Sequence, residues 1–93
     1  MDKKEARAIL AKELQRYRGK SYAELKRLLT EQDTSEVTAS SGNWYQLEIQ
    51  AVWDDRPEGN LRILGSIDDG EIRAFFPLTD DFIIAPDGHF VGE

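Results

Sequence analysis

The residues whose types could carry out chemistry are aspartates and a single histidine. A histidine near carboxylates is the composition of a metal site or of general acid–base catalysis. Asp87 stands two residues before His89, and adjacent aspartates occur at Asp54-Asp55, Asp68-Asp69 and Asp80-Asp81. One hypothesis is therefore a small hydrolase or metal-dependent enzyme that uses His89 with Asp80, Asp81 or Asp87.

A structural role for the same residues is the alternative, and the sequence favours it. A calcium loop places oxygen ligands at alternate positions before a bidentate glutamate, and no D-x-D-x-D-G run occurs. The chain has neither a cysteine nor a G-x-S-x-G motif to supply a nucleophile. Aspartate is common in turns because its carboxylate accepts local backbone hydrogen bonds. We predict turn roles for most of these aspartates, a helix cap at Asp80-Asp81, and no catalytic, metal-binding or cofactor-binding residue.

Two helices are predicted in the first third of the chain. The D-x-x-E pattern from Asp2 is typical of a helix start, and apolar residues at helical spacing continue to Tyr17. The capping box S-Y-A-E from Ser21 opens a second helix that extends to about residue 32. Because the link between them is short, we expect residues 1–32 to form a helical hairpin.

The remainder, residues 33–93, alternates apolar and polar residues with the period of an antiparallel sheet. Strands are predicted at 34–39, 43–54, 61–68 and 72–76, with a small second hairpin over 82–91. Asp69-Gly70 is typical of a two-residue type I′ hairpin turn. The predicted fold class is α+β: one domain, residues 1–93, with two N-terminal helices packed on one face of an antiparallel four- to five-stranded β-meander.

One register aligns the apolar residues of the three central strands without a bulge. It pairs Trp53 with Leu61, Ile49 with Gly65 and Leu47 with Ile67, and on the next strand Ile67 with Ile72, Gly65 with Ala74 and Ile63 with Phe76. The small residues in the Gly65 row would let a helix approach the sheet closely. The predicted core comprises Ile9, Leu10, Leu14, Tyr17, Leu25, Leu28, Leu29, Tyr45, Leu47, Ile49, Trp53, Ile63, Ile67, Ile72 and Phe76.

The same register leaves an apolar cluster on the sheet face that lies away from the helices. Leu64 lies beside Phe75 there, and Val52 lies diagonal to both, where the alternation requires polar residues. Two explanations remain open. Residues 82–91 fold back over the cluster, or Val52, Leu64 and Phe75 form a protein-binding or self-association patch.

Charge is divided unevenly along the chain. Residues 1–30 carry nine Lys and Arg against four acidic residues, whereas residues 31–93 carry three against fourteen, for a net charge of −6. A chain this acidic repels a polyanion over most of its surface, so we expect no nucleic-acid partner. No apolar run approaches the roughly 20 residues of a membrane span, and no signal peptide is visible, so we expect a cytoplasmic protein without a membrane partner.

Three stretches resemble a family of small bacterial proteins of this length that has no assigned activity. They are G-K-S-Y-A-E-L at 19–25, Y-Q-L-E-I-Q-A-V-W-D at 45–54, and the whole of 66–93 from S-I-D-D-G-E-I to F-V-G-E. The resemblance implies a bacterial, cytoplasmic origin and adds no site residues. Size and acidity are also similar to those of toxin-immunity proteins. We expect a non-enzymatic protein-interaction or regulatory module, immunity-like in size and charge, whose partner is another protein or a second copy.

Overall fold

The structure is a computed structural model that describes residues 1–70 and 77–93. In that part of the chain, four strands form one antiparallel sheet in the order β1-β2-β3-β4. The strands are β1 (Asp33–Thr38), β2 (Trp44–Trp53), β3 (Leu61–Asp68) and β4 (Leu78–Ile84). The helices before them are α1 (Lys3–Arg18), α2 (Tyr22–Leu25) and a 3₁₀ helix (Lys26–Leu29). The predicted α+β class and the antiparallel sheet are confirmed.

Helix α1 follows from its capping residue and its apolar stripe. The Asp2 carboxylate accepts a hydrogen bond from the Glu5 backbone N–H at 3.0 Å, which satisfies one of the free donors at the helix start. Four residues at helical spacing are buried against the sheet: Ala6, Leu10, Leu14 and Tyr17. The helix packs chiefly on β3 and β4, which places its basic outer surface away from the sheet.

The second predicted helix is much shorter than expected, so the prediction of a helical hairpin is wrong in its second half. The capping box is present, because the Ser21 hydroxyl accepts the Glu24 N–H and the Glu24 carboxylate accepts the Ser21 N–H. The α-helix nevertheless ends at Leu25 and continues as a 3₁₀ helix. Three residues per turn align Leu25 with Leu28, and both are buried beside β2.

The predicted register between β2 and β3 is confirmed, and the register on the other edge of β3 is wrong. Trp53, Ile49 and Leu47 pair with Leu61, Gly65 and Ile67 as expected. On the opposite edge, β4 takes the place of the predicted partners: Ile63, Gly65 and Ile67 pair with Phe82, Asp80 and Leu78. The predicted strand 72–76 lies outside the described residues.

Local turn chemistry explains part of that error. A type I′ turn needs positive φ at both central residues, and of Asp69 and Gly70 the glycine alone has it, at 76°. The type I′ geometry predicted for Asp69-Gly70 is therefore absent. Because β4 occupies this edge, Asp80-Asp81 lies inside a strand, and the predicted helix cap there is wrong.

The C-terminal segment closes tightly on β4 without becoming a fifth strand in the described chain. Ala85 N–H donates to the His89 carbonyl at 2.9 Å, and Phe90 forms an isolated bridge with Ile84. The Phe90 ring packs edge-on against Phe82, with centroids 5.7 Å apart. The hairpin predicted over 82–91 is thus reduced to a turn and a single bridge.

The core lies between α1, the 3₁₀ helix and the inner face of the sheet. Of the predicted core, ten residues are buried, Ile9, Leu29 and Trp53 are partly buried, and Ile72 and Phe76 lie outside the described residues. The structure adds Ala6, Ala51, Leu61, Phe82, Ile84 and Ala85. The predicted close approach at Gly65 is confirmed, since a Cβ there would lie 2.8 Å from Leu10 Cδ1.

Candidate protein-interaction surface

The outer face of the sheet carries three apolar side chains around one arginine. Val52, Arg62 and Ile83 form one cross-strand row, and Leu64 lies in the next row between Gln50 and Asp81. Val52 is 42% exposed, whereas Leu64 and Ile83 are half-buried. We call Val52, Leu64 and Ile83 the outer patch. The alternation of β2, β3 and β4 directs these three side chains to the face opposite α1.

Arg62 lies at the centre of the outer patch and is held by two carboxylates. Its Nη2 and Nε donate to Asp54 Oδ1 at 2.6 and 3.0 Å, and its Nη1 donates to Asp81. The hydrogen bonds that Arg62 donates to Asp54 and then to Asp81 raise the pKa of its guanidinium above its ordinary value. The cation is therefore permanently charged and neutralised locally.

Carboxylates dominate the rest of the outer face. Alternation in the described strands directs four acidic side chains to this face: Glu36, Glu48, Asp68 and Asp81. Asp54, directly after β2, is a fifth, because it bonds Arg62, the single cation of the described outer positions. The net charge of these five carboxylates and Arg62 is −4 at the described outer positions. The arrangement is thus a small apolar patch around the neutralised Arg62, and the field of the surrounding carboxylates attracts cationic surfaces.

Two of the three residues predicted for a binding patch share this face. Val52 and Leu64 are diagonal neighbours, as expected, and Phe75 lies outside the described residues. Asp81 occupies the β4 position beside Leu64, and Ile83 is the patch residue that sequence reasoning missed. The signal for Ile83 was the run Phe82-Ile83-Ile84, since three consecutive apolar residues in a strand must place one on the outer face.

The C-terminal segment does not cover the outer patch. Arg18 of α1 stacks on both the Phe82 and Phe90 rings, at 4.9 and 4.7 Å from their centroids. Phe90 therefore lies on the helix side of the sheet. Val91 N–H donates to the Ile83 carbonyl at 2.8 Å, which places the end of the segment along the β4 edge. The segment therefore runs beside β4 and not across Val52, which remains 42% exposed.

His89 and Asp87 form a local pair on an exposed turn. Asp87 Oδ1 lies 2.6 Å from His89 Nδ1 and also accepts the His89 backbone N–H at 3.0 Å. The backbone bond, with the ring contact second, holds the pKa of the Asp87 carboxyl below its usual range. Both side chains are about two-thirds exposed or more, at 65% and 73%. The predicted turn role of Asp87 is confirmed.

The other two aspartates of the enzymatic hypothesis lie elsewhere on β4. Asp81 bonds Arg62 on the outer face, and Asp80 alternates to the inner side. Ala85, where the His89 turn begins, is four positions beyond Asp81 along the chain, a distance of about 13 Å. Within 1–70 and 77–93, no three His, Asp or Glu side chains converge as ligands for a metal ion.

Two further aspartates with predicted turn roles also accept hydrogen bonds from backbone N–H groups. Asp55 Oδ1 accepts the Asn60 N–H at 2.9 Å across the loop between β2 and β3. Asp68 Oδ1 accepts the Gly70 N–H at 2.8 Å after β3. These bonds give both residues the structural role predicted from turn chemistry.

The described chain contains no helix that is both long enough and apolar enough to span a membrane. No family model matches the sequence, and no curated protein or solved structure matches it.

Proposed function

We propose that this chain is a non-enzymatic protein-interaction module that binds a basic partner protein through the outer face of its sheet. The observation that supports this most directly is Val52, a valine 42% exposed near the end of β2 and diagonal to Leu64. An apolar centre inside a polar rim is the usual anatomy of a protein interface. The patch offers such a centre on a rigid sheet.

The acidic surround determines the kind of partner. Carboxylates that outnumber cations by four on this face accelerate encounter with a positively charged surface and repel nucleic acid. The Asp54–Arg62–Asp81 cluster adds fixed hydrogen-bonding groups beside the apolar centre. We place the module in a bacterial cytoplasm, in a regulatory or immunity-like role, where a small acidic protein occludes a basic site.

Affinity capture from the native host with matched baits tests this function. Val52→Lys puts a like charge against a basic partner at an exposed position, so the fold is retained and the partner is lost. Ala11→Lys adds the same charge on the exposed side of α1 and serves as the control. We expect a basic protein that binds the wild-type and Ala11→Lys baits, is absent from the Val52→Lys eluate, and elutes with moderate salt.

The opposite pattern would count against the proposal. A folded Val52→Lys bait that captures the same proteins as the wild type would show that the outer patch is not the binding surface. Circular dichroism and thermal unfolding of each bait establish that folding is unchanged.

A second function, from a different class, rests on the 2.6 Å contact between His89 and Asp87. A carboxylate that orients a histidine is one part of a hydrolytic site. Metal titration followed by NMR would distinguish this function. Saturable shifts at His89 together with Asp87, Asp80 or Asp81 would support a metal-dependent enzyme, and diffuse shifts over the acidic surface would exclude it.

A further inference from the structure

The strand β1 presents an open edge to solvent. Ala39 N–H donates to the Asn43 carbonyl at 2.8 Å, so by the alternation of an antiparallel pair Val37 and Ser35 also bond to β2. The backbone groups of Thr34, Glu36 and Thr38 therefore point away from the sheet. In the described chain no residue bonds to them. The edge at β4 differs, because Val91 covers part of it.

An apolar groove runs beside this edge on the inner face. Helix α1 packs chiefly on β3 and β4 and leaves Ser35 exposed and Val37 only partly buried on the inner side of β1. Two adjoining hollows of about 310 and 280 Å³ share Ile9, Lys12 and Val37 as lining, and Leu47 lines the larger one. Ile9 and Val37 are only partly buried. A strand added to the open edge of β1 would cover both Ile9 and Val37.

The charges around the groove balance, which distinguishes it from the rest of the surface. Glu5, Lys12, Glu13 and Arg16 are the charged residues that line it, two of each sign. Glu13 pairs with Arg16 at 2.5 Å, and Glu5 accepts hydrogen bonds from Ser41, Asn43 and Tyr45. A strongly charged peptide would gain little here, whereas an identical neutral surface meets no net repulsion.

We propose that two copies of this chain dimerise by antiparallel pairing of their β1 strands about Val37. In this register Val37 of one copy faces Val37 of the other, and Glu36 faces Thr38. A register centred on Glu36 would oppose two carboxylates, and one centred on Ser35 would oppose Val37 to Asp33, so both are disfavoured. The pairing uses the outward N–H and C=O groups of Glu36 and Thr38 and joins the two grooves.

The two-fold symmetry of this dimer limits the assembly to two copies and places both outer patches on one face. A two-fold axis through Val37 makes the contact isologous, so no free β1 edge remains to continue a filament. The two four-stranded sheets become one of eight strands, with both outer patches on the same side. Dimerisation does not depend on the proposed partner and can be measured without it.

Engineered cysteines test the register. Across the axis Val37 forms a non-hydrogen-bonded pair with Cα atoms about 4.5 Å apart, which suits a disulfide. The native chain has no cysteine. We expect Val37→Cys to form a covalent dimer under mild oxidation. Ser35→Cys lies on the same strand face but about 13 Å from its counterpart, so it should remain a monomer on a non-reducing gel.

Light scattering over a concentration series tests the edge pairing. The Glu36 N–H points away from β2, so Glu36→Pro removes interchain hydrogen bonds while sparing the β1–β2 ladder. We expect it to weaken dimerisation about tenfold or more, since two symmetry-related bonds are lost. Glu36→Gln keeps the N–H and should dimerise like the wild type. A wild-type chain monomeric at about 100 μM, or Ser35→Cys that crosslinks as readily as Val37→Cys, would overturn the proposal.

Discussion

At the residue scale, Asp33 connects the helical third of the chain to the edge of the sheet. Its carboxylate accepts two hydrogen bonds from Arg27, at 2.8 and 2.7 Å, and one from the Tyr17 hydroxyl at 2.5 Å. The Arg27 bonds, followed by Tyr17, lower the pKa of Asp33 to about 2. Burial and the neighbouring Asp33 raise the pKa of Tyr17 to about 12. These three side chains form one polar cluster at the start of β1.

This cluster predicts a pH-dependent contribution to stability. The folded pKa of Asp33 is about 2, below its model-compound value of 3.8, so the ionised carboxylate stabilises the fold above about pH 4. That stabilisation is lost as the pH falls towards 2. We expect Asp33→Asn to lower the free energy of unfolding by about 1 kcal/mol at pH 7, since the side chain is one-third exposed.

Urea unfolding at pH 7 and pH 2 measures this effect. The deficit of Asp33→Asn should be largely absent at pH 2, where the wild-type carboxyl is becoming protonated. Glu31→Gln removes a charge at an exposed neighbouring position and should change stability little at either pH. An equal deficit for Asp33→Asn at both pH values would contradict the assignment.

At the element scale, the contact of α1 with β3 depends on the missing side chain of Gly65. Added at Gly65, a Cβ would lie 2.8 Å from Leu10 Cδ1, 3.1 Å from Leu14 Cδ2 and 3.3 Å from Ile49 Cδ1. Its φ is not positive, so the reason for glycine is packing and not backbone conformation. The helix thus lies closer to the sheet than any larger residue would allow.

Gly65→Ala should therefore overpack the core. We expect a loss of about 1–2 kcal/mol in the free energy of unfolding, because buried leucine side chains must shift. The same substitution in a Leu10→Ala background should cost less, since the methyl group then enters the space that Leu10 leaves. A double-mutant cycle by denaturant unfolding measures the difference. Identical costs in both backgrounds would contradict a contact between the two positions.

At the scale of the whole molecule, Arg18 joins the helix, the sheet and the C-terminal segment. Its guanidinium stacks between Phe82 and Phe90 and donates to both Glu93 carboxylate oxygens, at 2.8 and 2.6 Å. Stacking and bidentate bonding both require the planar guanidinium of arginine. Arg18 thereby links α1 to β4 and to the C-terminal segment as far as residue 93.

Phe90 is the apolar part of this closure. We expect Phe90→Ala to lower the free energy of unfolding by about 2 kcal/mol, less than for a fully buried phenylalanine because Phe90 is only partly buried. His89→Ala, one residue earlier on the exposed turn, should cost less than about 0.5 kcal/mol. Thermal and urea unfolding of the two variants measure these losses in the free energy of unfolding. Equal small costs would show that the segment adds little to global stability.

The sequence by itself determined those features that depend on local pattern. Alternation over 44–53 and 61–68 sets which side chains share a face, and the register of this pair follows because a one-residue slip would place apolar side chains in water. The capping patterns at Asp2 and Ser21 set where helices begin, since their hydrogen bonds span only three residues. Val52 and Leu64 were therefore placed correctly on the outer face.

The tertiary structure decided the features that depend on competition between distant segments. The second edge of β3 could pair with either of two alternating stretches, and burial of Phe82 and Ile84 against the core favours β4. Leu25 and Leu28 enter the core across a change from α-helix to 3₁₀ helix, which no local propensity indicates. Which edge of the sheet remains open is likewise settled by packing, because it depends on where α1 and the C-terminal segment lie.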